Sequence, residues 1–405
     1  MRSTALPVCR RPDAGRRLNQ VQREVTAWAS VISAFKGDRP HLSGGWLRPI
    51  GELARTRVHR RKLNSWLAAL ADPEGKVAPP RTPLRADQLA KLWSLAERHG
   101  VLPSAIANEK RLTETGGAER LVKAGGSGQS CGEVFSASLT EARKRAFRFS
   151  AATLSIRRQF AELADGLSAM SVPPVLLKGA DFASRLYPAE SLRTFGDIDL
   201  LVSERSRSDA ERILTELGYA AGPDQMKYGG GYGEVTFRLE DRASATVELH
   251  WDLVNSPTVR RGISVRYEDL QLVRPDGQTS GLPVPSPGSL LLISCVHAAT
   301  GHAFDRLQLL CDICQAARER AGRIDVEWLR QATNATGSRL AVSLGLSLAG
   351  KILGEPLCFR LARRLGLRGP GLAGIAVSPG VVMRCHHHRD SWRRQLLREL
   401  LKRSR

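Results

Sequence analysis

The sequence predicts an α+β fold: a small β-sheet core flanked by helices, with an α-helical C-terminal lobe. Short apolar or alternating runs cluster between residues 171 and 284, whereas helix-period stripes flank that segment on its N-terminal side. After it come four helical stretches with no strand signal between them. With 405 residues and 42% hydrophobic content, the chain can bury a large core and divide into several folded units.

Residues 1–86 read as a basic N-terminal extension, partly disordered, that ends in an amphipathic helix from Gly51 to Ala71. There Leu53, Val58, Leu63, Trp66, Leu67 and Leu70 share one face, and Arg55, Arg57, Arg60, Arg61 and Lys62 crowd another. The proline-rich stretch from Val77 to Leu84 reads as a linker. Residues 87–170 form a helical part: Asp87 to His99 carries an apolar stripe closed by Gly100, and residues 114–132 are a Gly/Ser-rich loop. Ser138 and Glu141 then give a capping-box signal for a long helix to about Met170.

Residues 171–284 hold the strands. Val172 to Leu177 is a buried strand entering a tight turn at Lys178-Gly179, and Ala180 to Leu186 is a short helix stopped by Pro188. A strand begins at Asp197, and a helix from Ser206 to Leu217 closes at Gly218. Glu234–Glu240 and Ala245–Leu253 pair as a hairpin. In the lobe, residues 285–355, Ser286-Pro287 opens a helix, and further helices lie near Phe304–Arg320, Val326–Ala335 and Arg339–Leu353. Residues 356–405 are a basic tail.

The chemistry centres on the stretch from Arg193 to Val202. Alternation along a strand puts Asp197 and Asp199 on one face and Ile198 and Leu200 on the other. Carboxylates that close raise each other's cost of ionisation, and a divalent cation is the usual reason to place them so, in phosphoryl or nucleotidyl transfer above all. A solvated strand end fits the bare pair too. Period two also sends Glu248, His250 and Asp252 to one face of the later strand. If that strand lies beside the first, Glu248 makes a third carboxylate, enough to hold two cations and leave a group to accept a proton.

The series Leu176-Leu177-Lys178-Gly179-Ala180, Leu186-Tyr187-Pro188, Arg193 to Val202, Leu217-Gly218-Tyr219 and Glu248-Leu249-His250-Trp251 resembles the uncharacterised nucleotidyltransferase family of the DNA polymerase beta-like superfamily. The similarity runs from about Asp87 to about Leu353. It implies a small mixed sheet as catalytic core, with Asp197, Asp199 and Glu248 holding Mg²⁺ (or Mn²⁺) and the phosphates of a nucleoside triphosphate. An acceptor hydroxyl of unknown identity, deprotonated with help from Glu248 or a metal-bound hydroxide, would then attack the α-phosphate and release pyrophosphate. The superfamily usually has Gly followed by Ser or Gly after the first strand; here the turn is Lys178-Gly179-Ala180, which lacks the hydroxyl but offers backbone amides and the charge of Lys178. Arg193 and Gly196 complete the expected nucleotide contacts, although Arg193 equally suits a solvated loop. The alternative is an inactive module of the same fold that binds nucleic acid or a protein partner.

The net charge is +21, and residues 1–87 alone hold 17 Lys/Arg against 7 Asp/Glu. Basic flanks of this kind suit RNA or another polyanion, or merely solvate the chain. No apolar run approaches a membrane span, and residues 1–20 lack the apolar segment of a secretory signal. Their Arg-rich character resembles a transit sequence or a disordered tail. Seven scattered cysteines describe no disulfide framework, so the expected compartment is the cytoplasm. Gly229–Gly233 precedes a strand, as a connection would, and not as a phosphate loop. Cys311-x-x-Cys314 has no second pair for zinc, and His386–His388 have no matching ligands. His297 and His302 read as core or helix-end histidines.

Overall fold

The computed structural model describes residues 50–115, 121, 129–222, 231–240, 244–274, 281–384 and 391–404. Residues 1–49, Gly229, Gly230 and His386–His388 lie outside them. The chain divides into residues 1–56 and 57–405; of the first unit only the start of helix α1 (Ile50–Ala71) is described.

Helices α2 (Ala86–Arg98), α3 (Leu102–Glu114) and α4 (Gln129–Ser168) precede the strands. Gly100, at φ +70°, reverses the chain between α2 and α3, a conformation glycine adopts without strain. Helix α4 starts nine residues before the capping-box signal at Ser138, so part of the expected 114–132 loop is helical. A capping pattern is tolerated inside a helix when no proline or competing turn interrupts the residues before it.

The sheet comprises β1 (Val175–Leu176), β2 (Asp197–Leu201), β3 (Ala220–Ala221), β4 (Glu234–Arg238) and β5 (Thr246–His250), in the order β1-β2-β5-β4-β3. Only β2 and β5 run parallel; the other pairings are antiparallel, so the sheet is mixed. Helix α5 (Ala180–Leu186) follows β1, and α6 (Arg207–Glu216) follows β2 and closes at Gly218, φ +87°. A two-stranded ribbon, β6 (Leu272–Val273) and β7 (Val284–Pro285), leads into the helical lobe. That lobe contains α7 (Pro287–Thr300), α8 (Leu307–Ala317), α9 (Val326–Ala335), α10 (Arg339–Ile352) and α11 (Pro356–Arg364). Ser286 caps α7 by accepting from the Ser289 amide. Single turns at Ala373–Ala376 and Pro379–Val382 precede the last helix, α12 (Trp392–Lys402).

Alternation gives the sheet two unlike faces. Ile198, Leu200, Val235, Phe237, Val247 and Leu249 pack with Leu163, Leu167 and Leu214 of α4 and α6 into one apolar core. The opposite parity, Asp197, Asp199, Glu234, Glu248 and His250, is left for the other face. A second, larger core gathers Trp66, Leu92 and Trp93 with the helices of the lobe, and reaches Leu397 and Leu401 of α12. Buried Arg318 ties this core together through Asp72 (2.6 Å) and Glu355 (2.6 Å), each charge partnered as burial demands.

Asp181 in the first turn of α5 is less well provided for. One oxygen lies 3.3 Å from Arg185 Nη1, and Oδ2 is buried with no hydrogen-bond partner. Burial raises its pKa to about 6, Arg185 offsetting only part of the effect. The folded state therefore binds a proton more tightly than the unfolded chain, and stability is lost as pH rises through about 6. Asp181→Asn should raise the thermal midpoint at pH 7.5 and flatten the loss between pH ~4 and ~6, a contribution of up to roughly 3 kcal/mol. Equal pH dependence of wild type and variant in melting curves would refute this.

Candidate active site

Asp199 sits in the middle of β2, directly across the parallel ladder from Glu248. Partners in register share a face, so the two carboxylates converge, and His250 joins them two residues along β5. Glu234 of β4 stands opposite His250 in the antiparallel ladder. Four ionisable groups are thus placed on one face by strand register alone.

Their contacts are short. Lys178 Nζ lies 2.8 Å from Asp199 Oδ1, and His250 Nε2 approaches the same oxygen at 3.1 Å. His250 Nε2 is also 3.6 Å from Glu248 Oε2, and its Nδ1 is 3.3 Å from Glu234 Oε2. Burial works against a charged imidazole, but the bonds to Asp199 and Glu248 and the charge of Glu234 prevail and push its pKa up to about 10. Lys178 follows the same logic: burial opposes its charge, and Asp199, Asp197 and Glu248 raise its pKa regardless. Burial, then the charge of Asp199, raises the pKa of Asp197. Glu248 is lowered, because His250 and Lys178 outweigh its burial.

Two buried atoms of this cluster have no hydrogen-bond partner, Asp199 Oδ2 and His250 Nδ1, the latter facing Glu234 Oε2 at 3.3 Å. For the Asp199 oxygen this state costs free energy unless something binds there. Ligand atoms of Asp199, Glu248 and His250 lie within 4.8 Å of one another, close enough to hold one cation between them. Two carboxylates and an imidazole that has given up its proton are a donor set that suits a divalent metal. The residues therefore fit a metal, with His250 as a member that the acid pattern did not single out.

Above the cluster opens a cleft of about 820 Å³ lined by Lys178, Asp197, Glu234, Glu248 and His250 on the sheet side. Arg207 and Trp251 form its rim, the guanidinium 3.6 Å from the indole ring centroid. His297 and His302 approach from the lobe in an edge-on pair, centroids 4.8 Å apart. Burial and the charges of Arg306 and Lys178 depress His302 to about 3, and His297 is likewise lowered, so both are neutral near pH 7.

The remaining expected site residues fall around this cleft. Gly179 carries the turn at φ +57°, and a Cβ there would meet the Phe195 ring at 3.3 Å. Ala180 begins α5. Gly196 lines a neighbouring pocket of about 540 Å³ and not the cleft. Arg193 is buried beneath the turn: Nε and Nη2 each donate to Asp312 at 2.9 Å, and Nη1 donates to the Gly179 carbonyl at 3.3 Å. Tyr187 donates to Asp312 Oδ1 at 2.8 Å. Asp252 is committed elsewhere, accepting from Ser264 and from the Val254 amide.

A protein-family model described as an uncharacterised nucleotidyltransferase matches residues 86–354, well over half the chain. The chain belongs to that family. No curated protein and no solved structure matches it. The nucleotidyltransferase region contains every residue of the carboxylate cluster, together with Arg193 and Asp312, whereas α12 lies beyond it. Among the described residues no helix is long and apolar enough to cross a membrane.

Sequence reasoning passed over Glu234 and the Arg193–Asp312 pair. The alternation Glu234-Val235-Thr236-Phe237 next to a hairpin partner carried the signal for the first. The second joins residues 119 positions apart and has no local signature.

Removing one member of a buried ion pair strands the other. Arg193→Met should cost roughly 3–5 kcal/mol, and Arg193→Met/Asp312→Leu should recover part of that. Urea denaturation of the three variants checks this; a single variant as stable as wild type would refute the pair's role.

Proposed function

We propose that the protein is a metal-dependent nucleotidyltransferase that transfers a nucleoside monophosphate from a nucleoside triphosphate to an acceptor hydroxyl. The observation that carries this reading is the convergence of Asp199, Glu248 and His250 around an unsatisfied carboxylate oxygen beneath the cleft of a nucleotidyltransferase sheet. Asp199, Glu248 and His250, with Asp197 at the cleft edge, would hold Mg²⁺ or Mn²⁺. The cation would neutralise charge building on the phosphate oxygens.

The chain's own groups do the rest. Lys178 lines the cleft and supplies positive charge for phosphate. The Gly179 turn, pinned from below by Arg193, gives the backbone a close approach. Glu248 can accept the proton of the attacking hydroxyl or share the cation. The acceptor oxygen bonds to the α-phosphorus, the bond to the bridging oxygen breaks, and pyrophosphate leaves with its electron pair.

One observation favours the alternative, an inactive module that binds nucleic acid or a partner: Lys178 and His250 already neutralise Asp199 without a metal. The two readings differ in turnover. Purified protein given labelled triphosphates and Mg²⁺ or Mn²⁺ should label an acceptor, and Asp199→Asn should cut that rate at least about a hundredfold. Equal labelling by variant and wild type would refute the site. Triphosphate binding that is indifferent to metal, with no product from any acceptor, would favour the inactive module.

A further inference from the structure

The cleft has a wall that the nucleotidyltransferase region does not supply. Helix α12 begins 38 residues after the family match ends, yet Arg394 and Arg398 line the same cleft as the carboxylates. The two stand four apart and so share one helix face, while Leu397 and Leu401 turn inward and are fully buried. The placement is therefore anchored by packing. Ser404 donates to the Gly262 carbonyl, Arg394 donates to the Gly301 carbonyl at the end of α7, and a Cβ on Gly262 would collide with the Leu401 carbonyl.

Like charges four apart on a helix disfavour each other, and the Gly301 contact accounts for Arg394 alone. Arg398 is exposed and forms no ion pair among the described residues, although Asp197, Glu234 and Glu248 line the same cleft. Guanidinium groups held on a packed helix beside an acidic, metal-suited floor make a second anion-binding locus, in which the planar fork suits phosphate oxygens.

We propose that Arg394 and Arg398 of α12 form a phosphate-binding subsite in the wall of the cleft. It rests on the nucleotidyltransferase reading for its place in a reaction, but not for its binding. The phosphate has two possible sources, the polyphosphate tail of the nucleotide or a phosphate group on the acceptor.

The test measures anion binding by the full-length protein in EDTA, so that no metal contributes. Tripolyphosphate stands in for the nucleotide tail and inorganic phosphate for a phosphorylated acceptor. Wild type should bind at least one of them, and Arg398→Gln and Arg398→Glu should weaken that binding about tenfold or more, with Arg398→Lys retaining part of it. Arg394→Gln should act in the same direction. Because Arg398 is exposed, its variants should melt like wild type, which separates lost binding from lost folding. A selective effect on tripolyphosphate assigns the nucleotide tail, and a selective effect on inorganic phosphate assigns the acceptor.

The subsite is overturned if wild type binds neither anion, or if the Arg398 variants bind both as wild type does. Asp199→Asn separates the two ideas. Anion binding that depends on Arg398 and survives Asp199→Asn supports the subsite even if no acceptor is ever labelled. Labelling that needs Asp199 but ignores Arg398, with unchanged anion binding, sinks the subsite and leaves the transferase reading intact.

Discussion

Burying a carboxylate at the centre of a sheet costs several kcal/mol unless charge of the opposite sign is brought to it. Asp199 meets that condition with Lys178 at 2.8 Å and His250 at 3.1 Å, both on the same oxygen. Each partner has a fixed reason to be there: Lys178 ends the segment after β1, and His250 lies two residues beyond Glu248 on the neighbouring strand. The sheet order β1-β2-β5 is thus also an electrostatic arrangement, with a cation source on either side of the acid. A different neighbour for β2 would leave Asp199 underbalanced.

The same requirement extends to the join between sheet and lobe. Arg193 precedes β2, Asp312 lies in α8, and their bidentate pair is buried together with the Tyr187 hydroxyl. Because a third guanidinium nitrogen reaches the Gly179 carbonyl, the turn that faces the cleft is referenced to the helical lobe and not only to its own strand. Sites that act on phosphate need such second-layer positioning, since a small displacement of a backbone donor is expensive in rate.

Much of this was readable in the chain. Period two in Asp197-Ile198-Asp199-Leu200 and in Thr246-Val247-Glu248-Leu249 fixed both strands and which side chains share a face, and Gly100 and Gly218 closed helices where expected. The mixed sheet implied by the resemblance is present, and the helical lobe follows it. What stayed hidden depends on non-local pairing. No local pattern announces that β5 inserts between β2 and β4, or that Arg193 turns inward to Asp312. The start of α4 was misplaced because a capping pattern at Ser138 is a local signal that the surrounding helix overrides.

The balance around Asp199 also bears on how the site would take a cation. Oδ1 is engaged twice while Oδ2 is buried without a partner, so the acid is neutralised but not saturated. For Asp199, Glu248 and His250 to hold a cation the imidazolium must release its proton, and the cation's charge would then replace both His250 and Lys178 as counter-ion to the acids. Lys178, largely buried with its ammonium 2.8 Å from Asp199, lines the same cleft, and its flexible stem would let it turn from the acid to a phosphate there. His250 sits on a strand and has no such freedom. On the proposed reading, the arrangement would hold its acids in a stable state when empty and redirect one cationic side chain to substrate when loaded, without moving the backbone that carries the carboxylates.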